Sequence, residues 1–164
     1  MTSNTVAVIP HHQPPPEREV RANAVAAEAT RWAERRADVR ALALVGSWAR
    51  GAPHAESDVD LMALVDEPKA YRTTAWLREL DWLGVGSAVA EWEDRTYGAV
   101  WSRHLSLADG TEVEFSFGSP SWASASPLDA GTRRVLSGGC CVLHDPEGLF
   151  GAALREVHAP AGAA

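Results

Sequence analysis

Two short stretches carry acids at the spacing that puts both carboxylates on one side of an extended chain. Asp58-Val59-Asp60-Leu61 and Glu112-Val113-Glu114-Phe115 each alternate acid with apolar residue, and side chains two apart in a strand share a face. Asp58 and Asp60 therefore converge above Val59 and Leu61. Without a counter-charge they repel, so such a pair usually holds a cation, the plainer reading being a solvated strand start. Oxygen-only ligands select a hard ion such as Mg²⁺, with Mn²⁺ as the alternative. If the strand carrying Glu114 lies beside the one carrying Asp60, a third carboxylate reaches the site. Three carboxylates can share two divalent ions, which stabilise the attacking and leaving oxygens of an in-line phosphoryl displacement. Upstream, Leu44-Val45-Gly46-Ser47 reads as a strand ending in glycine at a helix start, where backbone N–H groups approach phosphate closely. Arg50, which follows, has two readings, a surface ion pair of the short helix and a phosphate contact.

Other candidates have plainer readings. Glu112 is read as the wet end of its strand, with general base for an acceptor hydroxyl as the alternative. Ser57 is a turn or cap residue. His104 and His144 are proton acceptors by type but occupy no motif position, and both are read as structural. Of the 7 Trp, Trp32, Trp76, Trp82, Trp92 and Trp101 fall in predicted helices or strands and belong to the core. Trp48 and Trp122 lie at turn edges, where an indole could stack on a base. The His11-His12 pair lacks a second ligand cluster and is assigned to a tail.

The elements that must position these residues follow from periodicity. Residues 17–40 are rich in Ala, Glu and Arg, with Ala22, Val25, Ala26, Ala29, Trp32 and Ala33 at helical spacing, and predict one helix. Residues 40–45 and 58–65 are apolar runs that predict two buried strands. Pro68 opens a predicted helix over 69–83 on Tyr71, Trp76, Leu77, Leu80 and Leu83, closed by Gly84 and Gly86. Alternation then predicts hairpin strands at 88–92, 99–107 and, after the Asp109-Gly110 turn, 112–117. A loop at 118–127, a helix at 128–136, a strand at 141–143 and a helix at 146–158 complete the chain. This order predicts an α/β (α+β) fold, a small mixed sheet flanked by helices in a single domain over residues 17–158. Residues 1–16 read as a disordered tail and 159–164 as a frayed end.

Composition narrows the function. A chain of 164 residues suits one domain with a real core. With 15 Lys+Arg against 22 Asp+Glu, the net charge of -7 opposes the footprint of a general nucleic-acid binder. No apolar run is long enough to span a membrane. The only cysteines, Cys140 and Cys141, are sequence neighbours that bridge each other only under severe strain. A reducing cytoplasm is expected, and residues 1–16 show no secretory signal.

The Gly46-Ser47-Trp48-Ala49-Arg50-Gly51 segment, followed after ten intervening residues from Ser47 by Asp58-Val59-Asp60-Leu61, resembles the signature of the nucleotidyltransferase superfamily of the polymerase-β type. It is similar in form to the minimal nucleotidyltransferases. Asp109-Gly110-Thr111-Glu112-Val113-Glu114-Phe115 resembles the strand that carries the third acid in antibiotic (aminoglycoside-type) nucleotidyltransferases, and residues 142–148 resemble a strand and turn near the end of that domain. The likeness covers residues 17–156. It implies transfer of a nucleoside monophosphate, AMP from ATP, to a hydroxyl of a small-molecule acceptor with release of pyrophosphate. Asp58 and Asp60 would bind two Mg²⁺ ions, Glu114 the ion nearer the acceptor, and Gly46, Ser47 and Arg50 the phosphates. The sequence departs in having Glu at 114 where many relatives have Asp, and in lacking a C-terminal helical domain, whose place a homodimer could take. The alternatives are a minimal enzyme acting on a helical partner protein of toxin–antitoxin type, and a nucleotide-binding domain without turnover.

Overall fold

The computed structural model describes residues 13–125 and 127–159, so His11-His12 and most of the two expected tails lie outside the described residues. Helix α1 (Pro16–Glu34) leads into β1 (Val39–Val45), the single turn α2 (Ser47–Arg50) and β2 (Val59–Val65). After α3 (Trp82–Val85) come β3 (Val89–Tyr97), β4 (Val100–Leu107) and β5 (Glu112–Gly118), then α4 (Ala130–Ser137), β6 (Cys140–His144) and α5 (Leu149–Val157). The strands form one mixed sheet in the order β3-β4-β5-β2-β1-β6. Every neighbouring pair is antiparallel except β2 and β5, which run parallel. This is the mixed α/β domain that the order of elements predicts.

Alternation in the strands sends their side chains into two layers. On one face α1 buries Ala22, Val25, Ala29, Trp32 and Ala33 against Leu42, Leu61, Ala63, Val113 and Phe115. Aromatic rings dominate this layer: Tyr71 stacks on Phe117 at 4.8 Å and Trp101 on the same ring at 4.9 Å, each pair adding about 0.5–1.5 kcal/mol beyond its buried area. On the other face Leu136 of α4 and Phe150 and Ala153 of α5 cover Ala41, Ala43, Val45, Met62 and Leu64. Those sheet residues all belong to β1 and β2. On β4 and β5 the same face carries Ser102, His104, Ser106, Glu112, Glu114 and Ser116, so half of one sheet face is polar.

Several element boundaries differ from the periodicity reading. The first helix stops at Glu34 instead of reaching residue 40, because Val39 and Arg40 already belong to β1. The helix expected over 69–83 is two 3-10 turns, Pro68–Arg72 and Ala75–Glu79, followed by the short α3. Here indole N–H groups take carbonyls that a continuous helix would bond internally: Trp76 donates to Tyr71 at 2.7 Å and Trp82 to Leu77 at 2.9 Å. Asp81 caps a new turn through the Gly84 N–H, and Leu83, expected on the apolar stripe, is exposed. The last two helices begin later than expected, each at a carboxylate: Asp129 accepts from Gly131 and Thr132, and Asp145 from Leu149 and Gly151. Strand β3 runs to Tyr97 rather than residue 92, as an exposed edge.

Candidate active site

Strand register lines up one residue from each of four strands. Val45, Asp60, Glu114 and His104 are successive cross-strand neighbours on β1, β2, β5 and β4. Asp58, one residue before β2, lies two positions from Asp60 and shares its face. One ligand atom each from Asp58, His104 and Glu114 lie within 4.8 Å of one another. The parallel pairing of β5 with β2 thus brings the two acidic motifs together.

Asp60 carries the electrostatic cost of this gathering. Burial, then the charges of Glu114 and Asp58, push its carboxyl up to about 7, with His104 pulling it back down. Gly46 makes the approach possible: a Cβ there would stand 2.6 Å from Asp60 Oδ2, and its φ of +79° is itself one that side chains rarely adopt. The Gly46 N–H donates to the Gly139 carbonyl at 3.2 Å, so the turn is tied to the start of β6.

His104 is bonded on one side only. Its Nε2 lies 2.7 Å from Glu112 Oε2, which also accepts from Ser106 Oγ at 2.9 Å. Its Nδ1 is buried, has no hydrogen-bond partner among the described residues, and lies 3.9 Å from Asp58 Oδ2. The Asp58 and Glu114 carboxylates and a ring nitrogen of His104, with the Asp60 carboxylate beside them, are a donor set that fits a divalent cation.

The remaining expected residues divide. Gly46, Asp60, Glu114 and Arg50 line a cavity of about 1000 Å³, together with Tyr97, Trp122 and Arg134. The Arg50 guanidinium donates to the Gly138 carbonyl at 2.5 Å. Ser47 does not turn toward the acids: its hydroxyl donates to Ser57 Oγ at 2.8 Å, which in turn accepts from the His54 N–H at 2.9 Å. Ser57 is a buried loop clamp, and the Trp48 indole donates to its carbonyl at 3.4 Å while packing against the α1 side of the sheet. Of the two tryptophans at turn edges, Trp122 faces the cavity and Trp48 does not.

Three cavity or site residues escaped the motif reading: His104, Tyr97 and Arg134. The signal for His104 lies in β4, where Ser102, His104 and Ser106 alternate with Trp101, Arg103 and Leu105. That stripe pairs rung by rung with Ser116, Glu114 and Glu112 of β5. A polar stripe at period two inside a strand that is buried on its other face marks a surface reserved for something other than packing.

Residues 28–97 match a family model described as a nucleotidyltransferase domain. The match holds Gly46, Ser47, Asp58 and Asp60 and ends before His104 and Glu114. No curated protein matches the sequence. Among solved structures the chain is similar to an aminoglycoside 6-adenyltransferase from Bacillus subtilis, at 10% identity with a TM-score of 0.44. That similarity covers 65% of this chain and 37% of the other. The glycine turn and the paired aspartates both lie inside the segment that matches the nucleotidyltransferase domain.

Proposed function

We propose that the chain transfers a nucleoside monophosphate, AMP from ATP, to a hydroxyl of a small-molecule acceptor in a Mg²⁺-dependent reaction that releases pyrophosphate. The observation that carries this reading is the pairing of Asp60 with Glu114 on the wall of a cavity of about 1000 Å³, with a ligand atom of Asp58 within 4.8 Å of one from Glu114; the volume suits a nucleotide and a small partner. Asp58, Asp60 and Glu114 would hold two divalent ions, which supply charge neutralisation at the reacting phosphate and at the leaving group. Gly46 lets the Asp60 carboxylate reach the backbone turn. Arg50 and Arg134, both on the cavity wall, offer positive charge to the triphosphate. Ser47 contributes through the loop it ties to Ser57 and through its main chain. The acceptor oxygen bonds to the α-phosphorus as the bond to the bridging oxygen breaks, pyrophosphate leaves, and the hydroxyl proton passes to the acidic cluster.

Tyr97 and Trp122 on the cavity wall favour a small acceptor over a protein partner, because flat rings at the site suit a compact ligand. Both cysteines are unpaired, which fits the cytoplasm. Among the described residues no helix is long and apolar enough to cross a membrane.

Calorimetric titration of the full chain with ATP, CTP, GTP and UTP, with and without Mg²⁺, tests the reading beside an Asp58→Ala/Asp60→Ala double variant. Mg²⁺-dependent binding of one nucleotide, absent from the variant, is the expected outcome and opens a screen of hydroxylated acceptors by pyrophosphate release. Absence of binding to all four nucleotides would overturn it.

A further inference from the structure

We propose that His104 is a metal ligand through Nδ1, held in place by Glu112, and that this nitrogen makes the site prefer a first-row transition ion to Mg²⁺. The inference rests on the metal-dependent reading above and extends it to residues outside the acidic triad.

The geometry separates His104 from a histidine that merely packs. A structural histidine at a sheet surface satisfies both ring nitrogens or leaves one in water. Here Nε2 is bonded to Glu112 Oε2 at 2.7 Å, while Nδ1 is buried, unpartnered among the described residues and 3.9 Å from Asp58 Oδ2, and a ring nitrogen of His104 lies within 4.8 Å of ligand atoms of Asp58 and Glu114. An ionised carboxylate only accepts, so the hydrogen of a neutral His104 sits on Nε2 and Nδ1 presents its lone pair to the cluster. Glu112 is anchored in turn by the Ser106 hydroxyl at 2.9 Å. Carboxylate, imidazole and vacant nitrogen form the outer support by which proteins orient a metal-bound histidine. Glu112 is thereby a positioning residue, which accounts for the second acid of the Glu112-x-Glu114 pair.

The chemical consequence is selectivity. An all-oxygen set suits Mg²⁺, which keeps its water and binds nitrogen reluctantly, whereas an imidazole in the set favours ions from Mn²⁺ onward.

The test uses the full chain without nucleotide, with Mn²⁺ and Mg²⁺ as probes. Electron spin echo modulation of bound Mn²⁺ reads a directly coordinated nitrogen, and the wild-type chain is expected to show it. His104→Gln keeps a donor to Glu112 but removes Nδ1. It should lose the nitrogen modulation and weaken Mn²⁺ about tenfold or more, while Mg²⁺ affinity changes less than about threefold. Glu112→Gln should retain the modulation with weaker Mn²⁺ binding. If His104 instead serves as a standing positive charge, its removal strengthens both ions alike, and that result overturns the proposal. Mn²⁺ bound to the wild type without nitrogen modulation also overturns it and leaves the carboxylate site intact. Failure of the wild type to bind either ion overturns both this inference and the metal-dependent function.

Discussion

Arg103 and His104 are consecutive residues of β4 that face opposite sides of the sheet, and the charges around them are handled in opposite ways. The Arg103 guanidinium, nearly fully buried, makes two bonds to Asp94 at 2.7 and 2.9 Å and donates to the Thr73 and Arg72 carbonyls at 2.7 and 2.9 Å. The rings of Trp76, Trp92 and Trp101 surround it. Nearby, Tyr71 donates to Asp38, whose carboxyl is held below its ordinary range despite burial by that bond and by Arg36. Around His104 the acids Asp58, Asp60 and Glu114 gather with no arginine or lysine bonded to them among the described residues. One face thus satisfies its charges internally, which locks the 3-10 turns onto the sheet. The other leaves like charges facing one another, a state that a bound cation relieves.

The contrast breaks first at Arg103. Arg103→Ala should cost about 3–5 kcal/mol in urea unfolding, because a buried network loses its centre, with nucleotide affinity of the folded fraction unchanged. Equal loss of binding would mean that the two faces are coupled.

At Asp60 the effect should run the other way. Asp60→Asn is expected to lower transfer by at least about 10²-fold in a pyrophosphate assay while leaving the metal-free melting temperature unchanged or higher. The pH dependence follows in sign. Between the ordinary 3.8 and about 7 the unfolded chain has released a proton that folded Asp60 retains. Metal-free stability therefore falls as pH rises through that window and levels off above it. Melting curves of wild type minus Asp60→Asn in chelator, from pH 4 to 8, should show this slope, and a rising difference would refute it.

Gly46→Ala probes the seam between backbone and carboxylate. Left-handed strain should cost about 1–2 kcal/mol by thermal melting, and displacement of Asp60 should lower transfer about tenfold. The smallest effect is expected at Arg50, whose guanidinium is exposed and bonded to a carbonyl: Arg50→Ala should raise the nucleotide KM about threefold with no change in melting temperature, as for a surface charge.

The sequence was most legible where local rules suffice. The Asp58-Val59-Asp60 alternation, the glycine at 46 and the apolar runs of β1 and β2 each need only the period of a strand and the freedom of a glycine. Local rules failed over residues 69–83, where tryptophan side chains capture backbone carbonyls from outside any helix ladder. They failed too at His104, whose meaning depends on a strand eight residues further on.

By itself, the sequence determined that two strands would each present a pair of acids on one face, and that a glycine turn would precede the first pair. Only the tertiary structure decided that β5 runs parallel beside β2, setting Glu114 against Asp60, and that antiparallel β4 brings His104 between Glu112 and Asp58. Periodicity specifies which face a side chain takes. Which strand lies next to which is settled by the burial of Phe115, Phe117 and their aromatic partners across distant segments, and no local pattern encodes that.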